Sequence, residues 1–268
     1  MQKEGSMKKL LCLLVTLLLC VSAVGCGPYS KAIEEIKKEQ EEEEKARNVT
    51  YDGMCYYRYG AGENAEFVSG PLCSDVIKDV HYISWSVNGA PVTRLGFNSP
   101  VHSYTDPFYT ETQMTAHLYC PGSITNVMEK YLKPHASYQE NVNVYYCGTV
   151  VDLRVLGYGK NIVYYVPAGQ LDEYKTLWQT QTDFFMGTDY PGEVRAANVE
   201  YHLNAEDVGD FYYVDYVSPG NQIQNVPPNP SRAGWAFEGW YLEDGETEWD
   251  ETAQVPEDGV KLYAKWIR

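Results

Sequence analysis

Histidine is scarce in this chain, five residues in 268. His81, His102, His117, His135 and His202 stand apart, with no HExxH or HxH pair between them. The helix-borne zinc pair of a metalloprotease is therefore missing. No two cysteines have CxxC spacing, which argues against a zinc site. No G-x-S-x-G elbow marks a hydrolase nucleophile. Gly157-Tyr158-Gly159-Lys160 lacks phosphate-loop spacing and reads as a turn, and Glu243-Asp244-Gly245-Glu246 lacks the EF-hand register and reads as a solvated loop. Basic residues are also few: 21 Lys and Arg face 37 Asp and Glu, a formal net charge of −16. Such a chain repels phosphate backbones, so nucleic acid is not an expected partner. No catalysis and no cofactor are expected.

Long apolar runs are absent except at the start. Lys8-Lys9 precede Leu10–Val21, an apolar run too short for a comfortable membrane span, in the pattern of a secretory leader. It ends in Ala23-Val24-Gly25-Cys26, which resembles the bacterial lipobox. That resemblance implies a diacylated Cys26 as the new N-terminus, with residues 1–25 removed; ordinary cleavage near Gly25 is the alternative. Acyl chains would anchor the protein through burial of each CH₂.

Outside the leader and Cys26 the cysteines are Cys55, Cys73, Cys120 and Cys147. An even number in an exported chain allows two disulfides with the pairing open. Unpaired buried thiols are the alternative.

Residues 26–49 carry the charged run Glu34-Glu35-Ile36-Lys37-Lys38, then Glu41–Arg47, with too few large apolar residues to bury a face. The spacing of Glu34 with Lys38 and Glu41 with Lys45 supports a helix over Ser30–Arg47, which would reach about 27 Å at 1.5 Å per residue. A solvated tether is expected.

After Asn48, tyrosine, valine and turn residues dominate. Cys55–Tyr57, His81–Val87, Ala116–Cys120 and Asn161–Val166 read as strands separated by Gly, Pro, Asn and Asp. Ile124–Leu132 and Gln170–Thr180 read as short amphipathic helices. Strand, Pro turn and short helix recur from Pro121 to Pro167. Val87–Gly96 (VNGAPVTRLG) and Val163–Trp178 (VYYVPAGQLDEYKTLW) are similar to BspA-type leucine-rich repeats of bacterial surface proteins, and Tyr51–Tyr57 resembles the strand that opens such arrays. The resemblance implies a degenerate leucine-rich-repeat-like solenoid over 50–187.

Near the C-terminus, Gly234–Tyr241 reads GWAFEGWY. Strict alternation places Trp235, Phe237, Gly239 and Tyr241 on one strand face and Ala236, Glu238 and Trp240 on the other. That pattern favours a buried core over a ligand platform and leaves Trp240 as the candidate ligand-binding aromatic. Pro228, Pro230, Arg232, Gly234, Trp235, Phe237, Gly239 and Trp240, closing with Leu262-Tyr263-Ala264-Lys265-Trp266, closely resemble the Listeria–Bacteroides repeat, or internalin B-repeat. The resemblance implies a small β-grasp-like module over 197–268, used in surface proteins as a stalk or adhesive unit.

The fold expected is mainly β with short helices: solenoid first, β-grasp-like module second. The function implied is a non-catalytic, lipid-anchored protein on the outer face of the cell membrane, binding a host or neighbouring-cell protein or glycan. A carbohydrate-binding module is the alternative; a hydrolase within 50–187 is a weaker one for want of a G-x-S-x-G elbow, left open because triad members lie far apart in chain order.

Overall fold

The computed structural model describes residues 38, 48–51, 54–59, 66–70, 80–95, 117–127, 142–153, 162–180, 193–205 and 209–268. The leader, most of the tether, Cys26 and Cys73 lie outside the described residues. The chain divides into Met1–Asn48 and Val49–Arg268. The second unit is mainly β, as the strand-rich composition predicts.

The strands are β1 (Asn48–Tyr51), β2 (Met54–Tyr59), β3 (Glu66–Gly70), β4 (Val80–Tyr82), β5 (Ser86–Val87), β6 (Ala90–Leu95), β7 (His117–Cys120), β8 (Asn126–Val127), β9 (Val142–Tyr146) and β10 (Ile162–Val166). A 3-10 turn over Ala168–Gln170 leads into the helix α1 (Leu171–Thr180), and β11 (Glu193–Ala196), β12 (Val199–Ala205), β13 (Gly209–Asp215), β14 (Ala236–Tyr241) and β15 (Val260–Ile267) complete the series. They form three sheets, ordered β1-β2-β3-β6-β5 with β8 beside β6, β11-β10-β9-β7-β4, and β13-β12-β15-β14.

Two expectations change. His81–Val87 is not one strand: β4 and β5 belong to different sheets, and β5 turns into β6 through Asn88-Gly89, both with positive φ. That backbone suits the twist of a two-residue hairpin. The predicted helix over Ile124–Leu132 is instead a strand in its described part. Asn126 and Val127 pair with Arg94 and Leu95, and Thr125 N–H donates to Thr93 O at 2.9 Å. Tertiary pairing outweighs a short amphipathic pattern there. The helix predicted over Gln170–Thr180 is present as α1.

The second sheet is wholly parallel, and its strands lie side by side in chain order. Its faces are distinct. His81, Leu118, Val144, Tyr164 and Val194 form one cross-strand row. From that face, Leu118, Cys120, Val144, Tyr146 and Tyr164 enter a core with Tyr56, Ile83, Leu95, Ile124 and Tyr174. The other face carries the row Tyr82, Tyr119, Tyr145 and Tyr165. Their rings stack at 4.2, 4.2 and 5.1 Å, and Tyr216 extends the stack beyond Tyr165 at 5.0 Å. Each such pair contributes about 0.5–1.5 kcal/mol beyond area burial.

The tyrosine face is covered by the last sheet, and Tyr119, Tyr145 and Tyr165 share a second core with Tyr201, Tyr213, Val255 and Leu262. Hydroxyls tie the two together: Tyr213 donates to Ile83 O at 2.7 Å and Tyr82 to Asn225 O at 2.9 Å. In the last sheet β12 runs antiparallel to β13 and parallel to β15, while β14 runs antiparallel to β15.

Candidate functional site

The segment GWAFEGWY supplies β14, paired with β15. Its register is broken by a bulge: Phe237 faces Trp266, Gly239 faces Lys265 and Trp240 faces Ala264. Glu238 is the inserted residue. One extra residue reverses the alternation beyond it, so Trp240 falls on the same face as Phe237, not opposite it. The rings meet edge-on at 5.2 Å, and Trp240 also packs edge-on against Tyr201 at 4.9 Å.

Trp240 is half-buried against the second core, with its indole N–H buried and unpartnered among the described residues. It helps line a hollow of about 300 Å³ with Phe237, Trp249, Glu248 and Glu251. Tyr241 turns to the other side, with Lys265 Nζ 4.1 Å from its ring centre. Trp235 precedes the strand, where the Arg232 and Arg268 guanidiniums lie 4.6 and 4.8 Å from its ring. Trp266 donates from its indole to Leu203 O at 2.7 Å. The motif residues thus serve mainly as core and clamp.

A second polar group sits on β12. Glu200 and His202 are both buried, 5 % exposed. Glu200 Oε1 accepts from Ala168 N–H at 3.0 Å, satisfying a donor at the 3-10 turn. Glu200 Oε2 lies 3.4 Å from His202 Nε2, close enough for an ion pair but without hydrogen-bond alignment, and 3.5 Å from Lys261 Nζ. His202 Nδ1 lies 2.9 Å from Asp210 Oδ1. Burial lowers the His202 pKa, but Glu200 and Asp210 outweigh it and hold it above the usual value. Burial likewise raises Glu200, and His202, the Ala168 N–H and Lys261 reverse that to a lowered carboxyl.

Cys120 and Cys147 are free, buried thiols. Cys120 enters the first core and Cys147 the second, on opposite faces of the parallel sheet. Side chains diverging from a sheet in this way do not meet the geometry of a bridge. Instead Cys147 Sγ donates to Cys120 O at 3.4 Å. Burial pushes both thiols up in pKa, which leaves them inert. Of the other two candidate disulfide cysteines, Cys55 lies in β2 with its side chain outside the described residues, and Cys73 lies outside them altogether.

His81 is buried in the parallel sheet, and His117 Nδ1 lies 3.0 Å from the Tyr145 hydroxyl. His102 and His135 lie outside the described residues. No group of His, Cys, Asp and Glu among the described residues could hold a metal ion. No described helix is long and apolar enough to cross a membrane.

Residues 198–265 match the family model of the Listeria-Bacteroides repeat domain. Comparison with curated proteins finds no match, and comparison with solved structures finds none. This repeat is typical of bacterial surface proteins and typically non-catalytic. The matched stretch runs from Asn198, whose side chain brackets Val217 through both its N–H and C=O, to Lys265 in β15. Within it Tyr201, Tyr213, Leu262 and Ala264 are almost fully buried.

The sequence pattern alone did not single out Asp215. It is 2 % exposed, its Oδ1 accepts from Tyr119 Oη at 2.9 Å and Tyr216 N–H at 2.8 Å, and burial raises its pKa to about 6. One signal was available: an acid closing a run of alternating aromatics in Phe211–Tyr216 falls on a face that ought to be apolar.

Proposed function

We propose that this is a non-catalytic, lipid-anchored protein of the bacterial cell surface that binds macromolecules of a host or a neighbouring cell. The observation that carries the reading is the match of residues 198–265 to a repeat typical of bacterial surface proteins. In this reading Cys26 bears the lipid, residues 26–49 are the tether, 50–187 form a degenerate leucine-rich-repeat-like array and 197–268 a β-grasp-like module. The all-parallel sheet with strands in chain order supports the array, because a stacked repeat contributes one strand per unit beside its predecessor. The echo from Pro121 to Pro167 then spans two units, since β9 lies between β7 and β10. The order β13-β12-β15-β14, with a parallel central pair, supports the β-grasp-like reading.

Within 50–187 the hydrolase alternative draws on His117, which lines one cavity with Asp215 of the following module. Each is held by a different tyrosine, Tyr145 and Tyr119, an arrangement that suits fixed binding groups better than a nucleophile and its base. The test is adhesion. Purified full-length protein is expected to bind intact epithelial or bacterial cells in physiological salt, with mass spectrometry of the cell-derived protein finding a diacylated Cys26. Absence of binding to every cell type would overturn the reading.

A further inference from the structure

A cavity of about 590 Å³ opens where the tyrosine face of the parallel sheet meets the segment after β13. Its volume is ordinary for a small-molecule site. Asp215, Tyr145 and Tyr216 form its wall, and Gln222, Gln224 and Gln254 stand exposed at its lip. We propose that this cavity binds one sugar unit of a neutral glycan, with Asp215 as its buried acceptor. The proposal rests on the surface-binding reading above and names its ligand.

Asp215 carries the argument. Oδ1 is held by the Tyr119 hydroxyl and the Tyr216 N–H, which fixes the carboxyl group. Oδ2 is buried and has no hydrogen-bond partner among the described residues. A buried acceptor left unmade costs about 1–3 kcal/mol, and native proteins keep few of them. Asp215 lines the cavity, so a ligand hydroxyl that reaches its carboxyl group supplies the missing donor.

The rest of the lining selects the ligand class. Side-chain amides present a donor and an acceptor side by side, matching the hydroxyls of a sugar, each of which also donates and accepts. Gln222 already uses its Nε2 on Thr252 O at 2.8 Å, which holds its amide in place. Tyr216 is 39 % exposed and stacked on Tyr165, so it offers an anchored ring face to the C–H side of a pyranose. His117 Nδ1 lies against the Tyr145 hydroxyl and fixes that phenol. Among the described residues no Lys or Arg lines the cavity, and the chain is strongly acidic, so phosphorylated or sialylated ligands are repelled. Val217 is the only aliphatic side chain in the wall among the described residues, too little to anchor a peptide.

The test is calorimetric titration of the purified full chain with glucose, galactose, mannose and N-acetylglucosamine and a short oligosaccharide of each. N-acetylneuraminic acid and a mixed tetrapeptide library serve as the other arms. At least one neutral saccharide is expected to bind. Asp215→Asn should weaken it about tenfold, because a charged acceptor becomes a neutral one. Gln254→Ala, at the exposed lip, should weaken it about threefold, and Glu257→Gln, exposed and outside the cavity lining, should leave it unchanged. Near-UV circular dichroism confirms that each variant is folded. Three results overturn the proposal: no neutral saccharide binds, both cavity variants bind like the parent, or the acidic sugar or the peptides bind better. If saccharides fail while the full chain still adheres to cells, the cavity assignment falls alone and the surface-binding reading stands.

Discussion

Tyr119 donates its hydroxyl hydrogen to Asp215 Oδ1 across 2.9 Å, joining residues 96 positions apart in the chain. The bond fastens the parallel sheet to the last sheet.

Asp215 makes the stability of the chain depend on pH. Its folded pKa, raised to about 6 by burial despite the bonds from Tyr119 and Tyr216, lies above the ordinary aspartate value. The folded state therefore holds the proton more tightly, and stability falls as pH climbs from about 4 through 6. Asp215→Asn removes the buried charge and keeps an oxygen for Tyr119. In urea titrations the variant is expected to gain up to about 3 kcal/mol at pH 8 and almost nothing at pH 4. A variant less stable than the parent at pH 8 contradicts this account.

His202 acts in the same sense as Asp215 and Glu200 in the opposite one. The raised histidine stabilises below its unfolded value of about 6.5 and loses that contribution as pH rises through its higher folded value. The lowered glutamate stabilises above its unfolded value of about 4.3 and loses it as pH falls. Together they favour the range from about 4.5 to 6.5. Glu200→Gln should cost about 2–3 kcal/mol at pH 6, because it uncouples a buried pair, and less at pH 8. An equal loss at both values would show that the Ala168 hydrogen bond, not the ion pair, matters.

Trp240→Ala tests whether this ring is core or platform. Packed against Phe237 and Tyr201, it should cost about 3 kcal/mol on truncation, seen as a lower thermal midpoint, whereas Trp240→Phe should cost less. An unchanged midpoint for the alanine variant would return Trp240 to the role of exposed binding aromatic.

Gly122 lies at the junction between β7 and β13, where its N–H donates to Tyr212 O at 3.1 Å. A Cβ there would stand 2.1 Å from Phe211 O, a backbone atom that cannot step aside. Gly122→Ala should therefore cost more than about 2 kcal/mol and loosen the junction, with faster hydrogen exchange of the Phe211–Tyr213 amides. Unaltered exchange would rule the contact out as a fastening.

Much of the fold was legible in sequence, and the losses have definite causes. The strand-like runs Cys55–Tyr57, Ala116–Cys120 and Asn161–Val166 located β2, β7 and β10, because aromatic and β-branched residues between turn residues mark a strand directly in the chain. The face of Trp240 was lost because a bulge inserts a residue without any mark in composition. The tyrosine row was invisible because Tyr82, Tyr119, Tyr145 and Tyr165 become neighbours only when four separate strands align. Asp215 was missed for the same reason, as its partner Tyr119 belongs to another sheet.

β15 lies between β12 and β14, parallel to the first and antiparallel to the second. Until Val260–Ile267 has been synthesised, the hairpin of β12 and β13 has no neighbour and β14 has nothing to pair with. A newly made chain therefore cannot close this sheet early. Placing the keystone strand last of the four in chain order keeps the module slack until its final strand is made.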